Sequence, residues 1–217
     1  MSDGYAGYRA QLLETLRAKG IRDLAVLRAV ATVPRHLFVP EYLAHRAYDD
    51  AALPIGNGQT ISQPWIQART LEAMSLTGRE TVLEVGTGSG YQTALLAQLA
   101  ETVVSIERVP ALSDAARASL ERAGIRGPIL LVSDGTLGWQ PLAPYDAIAV
   151  SAASPDVPEP LVRQLVPGGR LVIPIGDLDH QVLTLVRRTQ DGVERTNLAD
   201  ARFVPLIGEH GWSNSNT

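Results

Sequence analysis

The residues 82–91, Val-Leu-Glu-Val-Gly-Thr-Gly-Ser-Gly-Tyr, combine types that can hold a ligand. Gly86, Thr87, Gly88, Ser89 and Gly90 fall where an apolar run gives way to a helical pattern. Glycines there let the backbone approach a ligand closely, and the helix start offers free N–H groups. The spacing is G-x-G-x-G; Tyr91 stands where the dinucleotide fingerprint has its third glycine. Glu84 precedes the turn, and Glu107 closes the next apolar run about 20 residues on, where a carboxylate can accept hydrogen bonds from ribose hydroxyls. Asp134-Gly135 ends a third run, within reach of an adenine or its surroundings. Three acids at the carboxyl ends of adjacent strands, with no basic residue in the glycine loop to meet a pyrophosphate, favour a nucleoside ligand without phosphates. S-adenosylmethionine (SAM) fits that description better than a nicotinamide dinucleotide does. Thr87 stands where a G-x-S-x-G nucleophile elbow needs its first glycine, and no glycine is followed by lysine as a P-loop requires.

Composition narrows the class. The 217 residues are 45% hydrophobic and 19% charged, a globular balance. Lys+Arg minus Asp+Glu is 19 − 23, a net charge of −4, which argues against nucleic acid as a partner. With 3 Trp, 6 Tyr and 2 Phe there is no platform for stacking bases. The chain has no cysteine, so disulfides, thiolate nucleophiles and Cys-based metal sites are excluded. His36, His45, His180 and His210 include no i, i+4 pair, and no metal site is expected. Charged residues interrupt the first 20 positions and no apolar run is long enough to span a bilayer; a cytoplasmic monomer with no signal peptide and no membrane contact is expected.

Positioning these groups requires a scaffold, and the pattern supplies one. Tyr8, Leu12, Leu13 and Leu16 recur at helical spacing before Gly20, and Asp23 can cap a second helix ended by Pro34. Residues 48–64, with two prolines and glycines at 56 and 58, read as a long loop, followed by a helix from Pro64 to about Leu76. Strands are expected at 81–85, 103–107, 129–133, 145–151 and 170–175, with helices at 90–100, 110–123 and 159–166, the last stopped by Pro167-Gly168-Gly169. Alternation of apolar strands with helices means a parallel sheet covered on both faces. Strands at 182–188 and 195–206, joined through Gln190-Asp191-Gly192, make a terminal antiparallel hairpin. One domain is expected, with N-terminal helices and a substrate loop (1–78), a SAM-binding core (79–177) and a hairpin and polar, frayed tail (178–217).

The loop Leu53-Pro54-Ile55-Gly56-Asn57-Gly58-Gln59-Thr60-Ile61-Ser62-Gln63-Pro64, taken with the glycine turn, resembles the protein-L-isoaspartate(D-aspartate) O-methyltransferase family. So do Val33-Pro34-Arg35, Ser105-Ile106-Glu107, Asp134-Gly135, the stretch 164–176, and Arg202-Phe203-Val204-Pro205-Leu206-Ile207-Gly208 with Gly211-Trp212. The resemblance spans roughly residues 20–212; Trp65 departs from it, standing where Tyr, His or Phe is commoner. It implies an α/β, Rossmann-like class I SAM-dependent methyltransferase fold. It also implies methylation of the free α-carboxylate of L-isoaspartyl residues in damaged proteins, with repair through a succinimide. Its active-site serine maps to Ser62, which by position alone serves equally as the N-cap of the helix at Pro64. Thr60 and Ile61 would present backbone groups to SAM. Ile55, Ile175 and Gln181 are candidate lining of the peptide channel, with core packing an equal account of the last two. An ionised carboxylate is its own nucleophile, so the lack of a Ser/His/Asp arrangement is expected. The same motifs would serve an enzyme that methylates aspartate in one dedicated peptide.

Overall fold

The computed structural model describes residues 4–213; the polar end beyond Ser213 lies outside the described residues. Helix α1 (Ala6–Ala18) ends at Lys19 before Gly20, whose φ of +97° suits glycine. Asp23 caps α2 (Leu24–Thr32) by accepting from the amides of Ala25 and Val26 at 2.8 and 3.2 Å. Two short 3₁₀ turns, Arg35–Phe38 and Glu41–Arg46, lead to the segment expected as a loop. It is instead partly a β-ribbon, in which β1 (Leu53–Gly56) pairs antiparallel with β2 (Gln59–Ile61). The Asn57-Gly58 pair makes the turn with both φ positive, 51° and 68°, a conformation that twists with the flanking strands. The ribbon escaped the periodicity reading because its strands are four and three residues long and Pro54 interrupts them. Helix α3 (Pro64–Met74) then stops two residues short of the expected Leu76, at Ser75 in a left-handed conformation with φ 49°.

The remaining elements are β3 (Thr81–Val85), α4 (Tyr91–Leu96), β4 (Thr102–Glu107), α5 (Pro110–Arg122), β5 (Ile129–Val132), β6 (Tyr145–Val150), α6 (Glu159–Arg163), β7 (Leu165–Gly176), β8 (Gln181–Arg188) and β9 (Val193–Ala201). The large sheet has the order β5-β4-β3-β6-β7-β8-β9, parallel through β7 and antiparallel from β7 to β9. Three boundaries differ most from expectation. Helix α4 is shorter, because Gln98 and Leu99 donate to Leu95 and Leu96, a tightened turn that ends it. Pro167-Gly168-Gly169 lies inside β7, at a register break between Tyr145 and Ala147 of its neighbour, rather than before the strand. The last strand stops at Ala201; Pro205 has no N–H for a ladder, and residues 202–207 cross the carboxyl end of the sheet.

The strands sort their side chains by parity. Val82, Val103, Ala147, Ala149, Val172 and Leu183 pack with the N-terminal helices. Leu83, Val85, Val104, Ile106, Ile148, Val150, Leu171 and Ile173 fill the opposite face. Connections leave β3 towards β4 and β5 on one side and β6 towards β7 on the other. The crevice where the two directions part lies beyond the carboxyl ends of β3 and β6, the position at which open α/β sheets bind ligands.

Candidate active site

The glycine turn folds directly over that crevice. The amides of Gly86 and Thr87 donate to the Ile106 carbonyl at 2.8 and 3.3 Å, curling the chain around the end of β4. Gly90 has φ 84°, and a Cβ there would sit 3.1 Å from that of Ala116, so close helix packing also demands glycine. Glu107 braces the turn from the neighbouring strand: one carboxylate oxygen accepts from Gly88 N at 2.9 Å and the other from Val109 N at 3.0 Å. Its carboxylate also lines the cleft.

Glu84 lies beneath the turn rather than in the cleft and is fully buried. Its Oε2 accepts from Thr93 Oγ1 and from Ser105 Oγ, the latter at 2.6 Å. Ser105 Oγ lies 2.6 Å from Thr87 Oγ1, so a chain of hydroxyls joins the buried acid to a residue of the cleft. Burial pushes the Glu84 carboxyl up to about 7; the hydroxyl donors oppose that shift and the Glu107 charge adds to it. Asp134 is likewise occupied. Its Oδ1 accepts from Thr136 N and Oγ1 at 2.8 and 2.7 Å, and its Oδ2 from Glu209 N at 2.8 Å, tying the C-terminal tail down. Gly135, next along, lines the cleft instead.

The ribbon brings in Thr60, Ile61 and Ser62 from the opposite wall. The N-terminus of α3 is capped from a distance: Trp65 N donates to Asp50 Oδ1 at 2.9 Å, and the Gln63 amide holds Asp50 Oδ2 at 3.1 Å. Asp50 thus does the capping that sequence reading allowed to Ser62, and among the described residues the Ser62 hydroxyl forms no hydrogen bond. Ser62 stands where two cavities meet. The cleft, with about 730 Å³ of empty space, and a second cavity of about 980 Å³ share Thr60, Ser62, Ser151 and Val204.

Nine of the expected residues therefore gather around one cleft: Thr60, Ile61, Ser62, Gly86, Thr87, Gly88, Ser89, Glu107 and Gly135. Glu84, Gly90 and Asp134 support it from behind. Ile55 packs its Cδ1 against Gly88 but, like Ile175, lines neither cavity; Ile175 packs against the β3–β6 core face. Gln181 lines the second cavity, its amide fixed by Asp177 O at 2.7 Å and Phe203 N at 2.8 Å. Sequence reasoning missed Gln59, Gln67, Gln92, Arg108 and Ser151, and gave no role to the tail residues 204–207, all of which line the cleft. The signal for the tail was present in the block 202–208; its partner Trp212, whose Nε1 donates to Ala153 O at 3.1 Å, anchors the tail.

A mostly parallel sheet with this order, a glycine turn after its central strand and a carboxylate closing the adjacent strand define a Rossmann-like class I methyltransferase fold. The chain belongs to the protein-L-isoaspartate(D-aspartate) O-methyltransferase family, whose model matches residues 7–211. A protein-L-isoaspartate O-methyltransferase of Methanoculleus marisnigri is 52% identical over 205 residues, covering 94% of this chain and 93% of its own length. One from Syntrophus aciditrophicus is 49% identical, covering 98% of this chain and all (100%) of its own. Among solved structures, a protein-L-isoaspartate O-methyltransferase superposes with a TM-score of 0.85 at 30% identity, covering 94% of this chain and 67% of that one. A Plasmodium falciparum structure described as a putative member, in complex with S-adenosyl-L-homocysteine, gives a TM-score of 0.81 at 27% identity, covering 95% and 99% of the two chains.

Proposed function

We propose that this chain transfers the methyl group of SAM to the free α-carboxylate of L-isoaspartyl residues in damaged proteins, opening their repair through a succinimide. The observation that carries the reading is the Ser62 hydroxyl, released from capping and placed where the two cavities join. The cleft fits SAM on its own chemistry: a glycine turn that a backbone-hugging ligand can approach, and a buried carboxylate, Glu107, at the ribose position. Bound there, SAM supplies an electrophilic methyl group. Glu107 would accept from the ribose hydroxyls, residues 86–89 would face the methionine portion, and Gly135 with the tail would bound the adenine. Thr60 and Ile61 would close the cleft from the ribbon.

The substrate carboxylate needs no base, since a group with a pKa of about 3.5–4 is ionised at neutral pH. The protein's task is to hold its oxygen in line with the methyl carbon, roughly 3–3.5 Å away, and to keep water out. Ser62 donates to the other oxygen and fixes that line. Transfer of the methyl group to the in-line oxygen would leave neutral S-adenosylhomocysteine as the leaving group. The resulting ester has a far better leaving group than a carboxylate, so the following backbone amide displaces methanol and closes the succinimide without help from the protein.

The second cavity, running from Ser62 past Gln181 and Phe203, receives the peptide. The described residues contain no helix long and apolar enough to cross a membrane; a monomer working in the cytoplasm is part of the proposal. Incubation with methyl-labelled SAM and paired peptides differing only in isoaspartyl or aspartyl linkage tests the assignment. The isoaspartyl peptide should yield a base-labile methyl ester. Labelling of the aspartyl peptide alone would sink the repair reading.

A further inference from the structure

Arg35 is fully buried, yet it is neither in the cleft nor in an ion pair among the described residues. Its Nη2 donates to the Ser62 carbonyl at 2.7 Å, its Nη1 to Gln67 Oε1 at 2.7 Å and its Nε to the Ala47 carbonyl at 2.8 Å. Its guanidinium carbon lies 4.5 Å from the centroid of the Tyr91 ring. One planar group therefore grips the backbone of the serine, a side chain of α3 that lines the cleft, and the first residue of the helix that follows the glycine turn.

A buried charge with no carboxylate at ion-pair distance among the described residues, only Asp50 acting on it from further off, is an expensive way to fill a core position. Apolar residues of similar volume do so with less desolvation. Burial pulls the Arg35 pKa down to about 10, a mark of that cost. What the group contributes in return is geometry: no other side chain is long, planar and five-fold donating enough to fasten three acceptors and one ring at once.

We infer that Arg35 is a positioning residue of the methyl transfer: it fixes the Ser62 peptide relative to the helix that begins at Tyr91, and so sets the substrate-orienting hydroxyl against the cofactor turn. The inference deepens the isoaspartyl reading and rests on it. It separates two quantities that a purely structural residue would move together, the number of competent cofactor sites and the turnover of each.

The test uses the full chain with Arg35→Met, which keeps the volume and drops the charge, and Arg35→Lys, which keeps the charge and drops the fork. Calorimetric titration with S-adenosylhomocysteine counts competent sites, and labelled methyl transfer to an isoaspartyl peptide is expressed per site. Both variants should bind S-adenosylhomocysteine within about 3-fold of the parent. Per-site kcat/KM for the peptide should fall about 10-fold or more for Lys and about 100-fold or more for Met, the range of one to two charge-assisted hydrogen bonds. Per-site kcat/KM within 3-fold of the parent in both variants would overturn the inference. So would a loss of cofactor affinity as large as the loss of turnover, or a failure of both variants to form competent sites, which would make Arg35 a folding residue. The parent's own turnover reports on the isoaspartyl reading, and the ratio of variant to parent reports on Arg35.

Discussion

Replacing Glu84 by Gln tests the account of the buried acid beneath the glycine turn. The carboxyl is fully buried, one of its oxygens accepts from two hydroxyls, and the other has no partner among the described residues. Burial raises it from an ordinary 4.5 to about 7. Below about pH 4.5 native and unfolded chains both keep the proton. Between 4.5 and 7 only the native chain keeps it, so the native state binds more protons and stability falls as pH rises through that window. Above about pH 7 the loss is complete. At 1.36 kcal/mol per pH unit, the gap between 4.5 and about 7 corresponds to about 3 kcal/mol.

Gln has nearly the same shape, keeps an oxygen for Thr93 and Ser105, and does not titrate. Equilibrium urea unfolding of parent and Glu84→Gln at pH 5 and pH 8 isolates the effect, because every other ionisable group cancels between the two chains. The variant's stability relative to the parent should rise by about 2–3 kcal/mol from pH 5 to pH 8. The absolute difference at pH 5 carries the extra amide donor and is not diagnostic. Parallel pH profiles would refute the reasoning, since they would mean that Glu84 ionises in the native state as it does in the unfolded one. A relative gain at low pH would refute it more strongly, placing a hidden cation beside the carboxylate.

Other expectations follow from the same contacts. Ser62→Ala should lower kcat/KM for the isoaspartyl peptide about 10- to 100-fold, one hydrogen bond to a charged group, with unchanged SAM affinity and a stability change within about 0.5 kcal/mol, because Asp50 does the capping; denaturation and peptide kinetics check both halves. Glu107→Gln should weaken SAM binding at least 10-fold by calorimetry, since the carboxylate both braces Gly88 and lines the cleft. Gly208→Ala would bring a Cβ to 2.1 Å from Asp134 Oδ1 and force the tail away. SAM affinity should fall severalfold while peptide binding at saturating SAM changes less, and unaltered affinity would show that the tail does not close the cleft.

The sequence carried the ligand side of the site further than the substrate side, and the reason is physical. Strand β3 and its glycine turn are written in adjacent residues, so their spacing alone places Gly86, Thr87, Gly88, Ser89 and Glu107 around one cleft. The opposite wall depends on long-range pairs that no local period encodes: Asp50 with Trp65 N, Asp134 with Glu209 N, and Gln92 Nε2 with Ser151 Oγ at 3.0 Å across the switch point. Of the three acids expected at strand ends to face a ligand, Glu107 lines the cleft. Glu84 faces the same side of the sheet as Glu107 but sits two register positions deeper, against Thr93 of α4, and the tail claims Asp134. The ribbon was read as a loop because strands of three and four residues give alternation no room to show.

Helix α4 explains why a reaction that needs no base still constrains so much of the chain. Its first three residues are all buried and point three ways: Tyr91 against Arg35, Gln92 to Ser151 at the switch point, and Thr93 to Glu84 under the turn. A helix buried all round shows no amphipathic stripe, which is why its bounds were poorly legible. Through those three contacts the helix touches the support of the substrate ribbon, the far wall of the cleft and the underside of the cofactor turn. Two of the partners, Arg35 and Glu84, are ionisable groups held inside without an ion pair among the described residues, each at a desolvation cost that Arg35 offsets with three hydrogen bonds and Glu84 with two. Catalysis by alignment tolerates errors of only about 1 Å, and the buried polar contacts supply that precision where apolar packing alone permits sliding. The combination Arg35→Lys with Glu84→Gln, which keeps a donor for the buried acceptors of Arg35, should therefore resist urea at pH 8 about as well as the parent while methylating isoaspartyl peptide at least about 10-fold more slowly, whereas a parallel fall of both properties would mean that these groups hold the fold rather than the alignment.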